Sequence, residues 1–135
     1  MRYMLLVYTR ENAGERTPAE QQEIMNAHFA VMEDASANGV FEGAEPLAGT
    51  STATTVRVQN GKPLITDGPF AETREQLAGY YILNCKDLDE AIAYAARIPT
   101  GCGGRNGCIE IRPLPGLPKQ EDALKKEVVT ASSNG

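Results

Sequence analysis

The sequence predicts an α+β fold, one antiparallel sheet with two helices on a single face, and three observations carry that prediction. Tyr3 to Tyr8 and Tyr80 to Cys85 are apolar on both alternations, as strands covered on both faces are. Two amphipathic segments, each opened by N-cap residues, lie between strand-like runs. Asn60-Gly61, a dipeptide that favours a type I′ hairpin turn, separates two further β-like runs.

Each element follows from local chemistry. Tyr3 to Tyr8 carries Tyr3, Leu5 and Val7 on one face and Met4, Leu6 and Tyr8 on the other, so it is a central strand. Thr17, Pro18 and Glu20 stand where a capping box with proline in the first turn puts them, and Asn38-Gly39 supplies the stop, predicting a helix from about Pro18 to about Ala37. At about 100° per residue, Ile24, Met25, Val31, Met32 and Ala35 share the arc that faces the sheet. Val40 to Leu47 is a short strand, and Thr54 to Val58 with Leu64 to Thr66 forms the inserted hairpin. Asp67-Gly68-Pro69-Phe70 breaks the pattern, and Ala71 to Gln76 is a polar loop. After the Tyr80 to Cys85 strand, Asp87 and Glu90 cap a second helix halted by Pro99, with Leu88, Ala91, Ile92, Ala95 and Ile98 as its buried stripe. Thr100 to Gly107 holds four glycines and is a loop; Cys108 to Arg112 alternates as the last strand. The domain is expected to span residues 1–114, and 115–135 a polar tail with little to bury.

The order strand, helix, strand, hairpin, strand, helix, strand is the split β-α-β pattern of a ferredoxin-like sheet. Two helices cover only one of its faces, while two strands are apolar on both. A second copy of the chain is the simplest cover for the open face, so a homodimer is expected.

Composition narrows the function classes. The chain has 135 residues, 41% hydrophobic and 23% charged, enough for one domain whose core needs no metal or disulfide as a staple. Thirteen Lys and Arg against eighteen Asp and Glu give a formal charge of -5, the wrong sign for neutralising phosphates, so no direct nucleic-acid partner is expected. No apolar stretch approaches the roughly 20 residues that span a bilayer, and the start of the chain does not read as a signal peptide, so a cytoplasmic protein without a membrane partner is expected. Cys85, Cys102 and Cys108 cannot all pair within the chain and lack zinc-site spacing; they read as reduced thiols, with no metal or other cofactor expected. A Cys102 to Cys108 disulfide is compatible with the spacing, but inert thiols are the plainer reading. The glycine-rich loop lacks the Lys-Ser or Lys-Thr ending of a phosphate loop and precedes a strand, so it is not read as a nucleotide site.

Several residues carry candidate chemistry. His28, the one histidine, lies in the middle of the first helix's sheet-facing arc, either as a hydrogen-bonded histidine at the core margin or as a general acid-base. Asp67 precedes a Gly-Pro turn, where it either accepts backbone hydrogen bonds or orients His28. Glu110 and Arg112 share one side of the last strand and either pair with each other or line the mouth of a pocket. Tyr80 and Tyr81 point to opposite faces, so one of them presents a phenol to a cavity and the other packs beneath a helix. Phe70 reads as wall or interface.

Arg2-Tyr3-Met4-Leu5-Leu6-Val7-Tyr8, Ala53-Thr54-Thr55-Val56-Arg57, Thr66-Asp67-Gly68-Pro69-Phe70-Ala71-Glu72-Thr73-Arg74-Glu75-Gln76-Leu77 and Glu110-Ile111-Arg112-Pro113 together resemble the YCII-related family, and more narrowly its DGPF branch. The resemblance covers residues 1 to about 114. It implies a dimeric α+β barrel with a ferredoxin-like protomer. It also implies a largely unassigned activity, with a few small acid-base enzymes that use a His and Asp pair, and an association of DGPF members with extracytoplasmic-function sigma factors. Two readings follow. The first is a small-molecule binding or regulatory dimer, with a sigma factor as the implied partner. The second is a cofactor-free enzyme in which His28 shuttles a proton, Asp67 orients it, Arg112 holds a small anionic or phenolic substrate, and Tyr80, Glu110 and Phe70 line the site.

Overall fold

The computed structural model describes residues 1–11, 16–100 and 107–118. Strand β1 (Arg2–Thr9) is paired along both edges, with β5 (Gln76–Asn84) on one side and β6 (Cys108–Leu114) on the other. Strand β2 (Phe41–Pro46) adds to the outer edge of β5, giving an antiparallel sheet in the order β2-β5-β1-β6. Helices α1 (Pro18–Ala37) and α2 (Leu88–Ala95) connect its strands, which is the ferredoxin-like arrangement. Strands β3 (Thr54–Gln59) and β4 (Lys62–Asp67) form a separate two-stranded sheet inserted between β2 and β5.

Register decides which side chains meet. Leu5 lies opposite Tyr81 on one neighbour and Ile111 on the other, so these residues share the helix-facing side. There Tyr3, Leu5, Val7, Tyr81, Leu83 and Cys85 meet Val31 and Ala35 of α1 and Ala91, Tyr94 and Ala95 of α2 in one buried core. On the other face Met4, Leu6, Tyr8, Tyr80 and Ile82 are half-buried in the protomer. Glu110 lies opposite Leu6 and Arg112 opposite Met4 on that same open face.

The caps are where the sequence places them. Thr17 Oγ1 accepts from the Glu20 amide at 3.1 Å, and the Asp87 carboxylate from the Glu90 amide at 2.9 Å. Asn38 N–H donates to Asp34 O, and Gly39 follows with φ +72°. The hairpin turn is of the expected kind, with Asn60 at φ 52° and Gly61 at φ 76°. Pro113 lies within β6, where an edge strand tolerates the missing amide.

Two expectations are corrected. Leu88 and Ile92 are about half exposed; the buried side of α2 is Ala91, Tyr94 and Ala95, because α2 is short and crosses the sheet with its Tyr94 face inward. Tyr94 is held there by an Asn38 amide that donates to its hydroxyl at 2.8 Å. Strand β5 begins at Gln76, four residues before the apolar run, since backbone pairing with Thr9 and Tyr8 continues after side-chain burial weakens. Cys85 is buried and Cys108 exposed, and both are free thiols. The glycine-rich segment 101–106, the Cys102 to Cys108 pairing and the tail from Lys119 lie outside the described residues.

The β1–β5 register shifts between Val7 and Tyr8: Val7 faces Gly79 and Tyr8 faces Leu77, which leaves Ala78 as an extra residue in β5. Gly79 lies so close to β2 that an added Cβ would stand 2.8 Å from the Glu45 carbonyl oxygen. Gly79→Ala is therefore expected to lower the urea unfolding midpoint by pushing β2 off the sheet edge. Leu5→Ala, which empties a fully buried position under both helices, is expected to cost about 2–5 kcal/mol in the same measurement.

Candidate functional site

A cavity of about 260 Å³ opens between the middle of α1 and the part of the sheet where β1, β5 and β2 meet. Its walls are mostly apolar, from Val7, Met25, Met32, Ala44, Pro46 and Pro99. Among the described residues that line it, Thr9, Arg16, His28 and Tyr81 supply polar groups on the helix side of the sheet. The β5 irregularity at Ala78 and the missing side chain at Gly79 both border it, so the local departure from regular pairing is part of the wall.

His28 reaches the cavity because α1 turns the arc of Met25, His28, Val31 and Met32 toward the sheet. Its Nδ1 lies 2.5 Å from the Tyr81 hydroxyl, and the two rings stack at 18° with centroids 5.9 Å apart. Tyr81 sits on the helix-facing side of β5, 4% exposed, and burial pushes its phenol up to about 12. The phenol therefore keeps its proton at any physiological pH. Burial lowers the His28 pKa from its ordinary 6.5, and the Arg16 charge lowers it further. At neutral pH the site accordingly holds a neutral imidazole against a protonated phenol. Because Nδ1 is engaged by Tyr81, Nε2 is the ring nitrogen left to meet a ligand.

The residues singled out in the sequence fall in different places. His28 and Tyr80 both border the cavity, but Tyr80 does so from the strand's other side: it lies opposite Glu45 in the β2–β5 ladder, and alternation turns both side chains to the open sheet face. Asp67 ends β4, exposed and opposite Thr54, and it does not border the cavity. The pairing of His28 with Asp67 is thus not formed; the hairpin carries Asp67 on its own two-stranded sheet, and His28 meets Tyr81 instead. The segment at Asp67 makes a turn, with Gly68 N–H donating to Ala53 O at 2.7 Å and the Thr55 hydroxyl to Gly68 O at 2.8 Å. Phe70 is 74% exposed beyond that turn, away from the cavity. Glu110 and Arg112 form a 3.4 Å ion pair on the open face, both well exposed, because strand parity sends them away from the helices. Thr9 and Arg16 were not among the candidates. Thr9 could have been found by extending the Leu5 and Val7 alternation, whereas nothing local in the sequence distinguishes Arg16 from other loop arginines.

Among the described residues no group of three or more His, Cys, Asp or Glu side chains is placed to hold a metal ion. Likewise, none of the described helices is long and apolar enough to cross a membrane.

The model of the YCII-related domain matches residues 1–115. The chain belongs to the YCII-related family. It is 35% identical over 115 residues to an uncharacterised protein of Rhizobium meliloti (strain 1021), a match covering 84% of this chain and 92% of the relative. The structure is also similar to the 5-chloro-2-hydroxyhydroquinone dehydrochlorinase of Burkholderia phenoliruptrix AC1100, solved in complex with 2,5-dihydroxybenzoquinone. That similarity has a TM-score of 0.47 at 13% identity, covering 87% of this chain and 96% of the other.

The lowered His28 pKa gives this YCII-related protein a pH signature. The unfolded chain takes up the imidazole proton near 6.5 and the native one only at lower pH, so the native state binds fewer protons in that interval. This contribution to stability is fully present above 6.5 and is lost as pH falls through the native pKa. Thermal unfolding of wild type and His28→Gln from pH 8 to pH 5 checks it: the wild type should lose Tm more steeply below about 6.5 than the variant.

Proposed function

We propose that the chain binds a small, largely apolar molecule bearing a hydrogen-bonding oxygen in the cavity beneath α1, and that the His28–Tyr81 pair moves a proton on it. The observation that carries this reading is a neutral imidazole at the wall of an apolar cavity, with Nδ1 fixed by a buried phenol. A histidine in that setting has one ring nitrogen positioned and the other directed to chemistry. When Nδ1–H donates to the Tyr81 oxygen, the Nε2 lone pair accepts a proton from the bound molecule. The imidazolium so formed keeps its Nδ1–H bond to the phenol, and returning the Nε2 proton completes the transfer. Tyr81 acts here as a positioning residue, holding the ring by hydrogen bond and stacking.

In this reading the protein works as a homodimer. Met4, Leu6, Tyr8, Tyr80 and Ile82 make an apolar centre on the uncovered sheet face, and a second copy would bury it. Sedimentation at low micromolar concentration is expected to show a species twice the 14.5 kDa chain mass; a monomer alone would exclude it.

A panel of small phenols and hydroxylated aromatic acids, followed by mass spectrometry for conversion and by NMR for binding, tests the site. Wild type is expected to bind and convert at least one compound. His28→Gln should keep its Tm and lose turnover by roughly 10²- to 10⁴-fold, the scale of a missing general base. Tyr81→Phe should lose less and shift the pH profile, since it frees the ring without removing it. Binding without conversion would mark the protein as a ligand-responsive regulatory protein, the setting in which a sigma-factor partner makes sense. No binding in the cavity would overturn the proposal.

A further inference from the structure

Thr9 ends β1 and borders the cavity, half-buried. The alternation that buries Tyr3, Leu5 and Val7 under the helices turns its side chain to the same side. Among the described residues its hydroxyl has no hydrogen-bond partner. It is not sealed off either, because among the described buried and half-buried side chains Arg10 Nε is the one enclosed atom without a partner. Thr9 Oγ1 is therefore an open, unengaged hydroxyl in a mostly apolar wall. Arg16 also borders the cavity but is engaged in an interaction of its own. The other open polar group is His28 Nε2, and it lies toward a different end. Tyr81, which holds His28, is paired with Leu5, and Thr9 stands four residues further along β1, about 13 Å on at the rise of an antiparallel strand. Val7, Ala78 and Gly79 fill the stretch between them and offer a ligand no polar side chain.

We propose that Thr9 is the second specificity contact of the cavity and that the ligand is a one-ring phenol carrying another hydroxyl at the far end of the ring. The phenol meets His28 Nε2, the far hydroxyl meets Thr9 Oγ1, and the ring lies over Val7 and Gly79. This deepens the binding reading given above and rests on it. The physical case is one of satisfaction and span. A hydroxyl in an apolar wall favours a ligand that brings it a hydrogen bond over one that covers it with carbon, because the second leaves the group unpaired. A ring with an oxygen at each end, plus a hydrogen bond of about 2.8 Å beyond each, covers a span comparable to that between the two groups. A cavity of about 260 Å³ suits a single ring with one or two substituents.

The test compares two isomers of equal size and polarity, 4-hydroxybenzyl alcohol and 3-hydroxybenzyl alcohol, with 4-ethylphenol as the probe that lacks the second hydroxyl. Titration calorimetry gives the affinities, and the His28 imidazole NMR signals report where the probes bind. Wild type should bind the 4-isomer about two- to tenfold more tightly than the 3-isomer, the range that one neutral hydrogen bond supplies. In Thr9→Val that preference should vanish through loss of affinity for the 4-isomer, with 4-ethylphenol bound as in the wild type. Thr9→Ser, which keeps the hydroxyl, should keep the preference. Equal binding of the two isomers to the wild type, each moving the His28 signals, would overturn the role of Thr9 while leaving the cavity as a binding site. A preference that persists in Thr9→Val would overturn it too, as would one lost equally in Thr9→Val and Thr9→Ser, which would trace it to the threonine methyl. Failure of all three probes to move the His28 signals would remove the binding reading and this inference together. If Thr9→Val does not fold, Thr9→Ala removes the same hydroxyl with less bulk, and the wild-type comparison of isomers decides without any variant.

Discussion

Everything in this protein hangs on β1 being paired on both edges. With β5 and β6 hydrogen-bonded to either side, the backbone of β1 is satisfied without water, and its odd-numbered side chains can be buried completely. Leu5 and Leu83 are 0% exposed as a result. The two helices then have a flat apolar surface to sit on, which is why a short α2 with a small buried side is still held in place. The open face has the same backbone satisfaction but no helix, so its side chains are left half-buried.

The cavity arises where that regular packing is interrupted. At Ala78 the β5 strand carries one residue too many for its partner, and Gly79 then brings β2 close without a side chain between them. The sheet under the middle of α1 therefore lacks, at Ala78 and Gly79, the bulky residues that Leu83 and Leu5 supply further along. Helix α1 spans this gap because its end is anchored by Val31 and Ala35, both buried over the regular part of the sheet. Met25, His28 and Met32 consequently face space where another helix turn would face leucine.

His28 and Tyr81 also illustrate how burial sets chemistry. The same desolvation that drives the phenol up drives the imidazole down, so both groups are held in their neutral forms, joined by one hydrogen bond. A carboxylate partner would have the opposite effect on the imidazole, raising its basicity and favouring the charged form. With a phenol and not a carboxylate as its partner, the imidazole is a weaker base.

What the sequence by itself determined was everything governed by short-range periodicity and capping. Thr17 and Asp87 start the helices, Asn60-Gly61 turns the hairpin, and the alternation in β1, β5 and β6 assigns each side chain a face, because these depend on residues within a turn or a pleat of one another. The position of His28 on the inward arc was legible for the same reason. Its partner was not. Asp67 and Tyr81 both follow it at long range, 39 and 53 residues on, and no local pattern says that the hairpin folds as its own sheet while β5 inserts beside β1. Only strand order and register decide that Tyr81 lies beside Leu5 beneath the helices and that the face carrying Glu110 and Arg112 is the one left without a helix. Those are contacts between segments distant in the chain, fixed by how the whole sheet closes its hydrogen bonds.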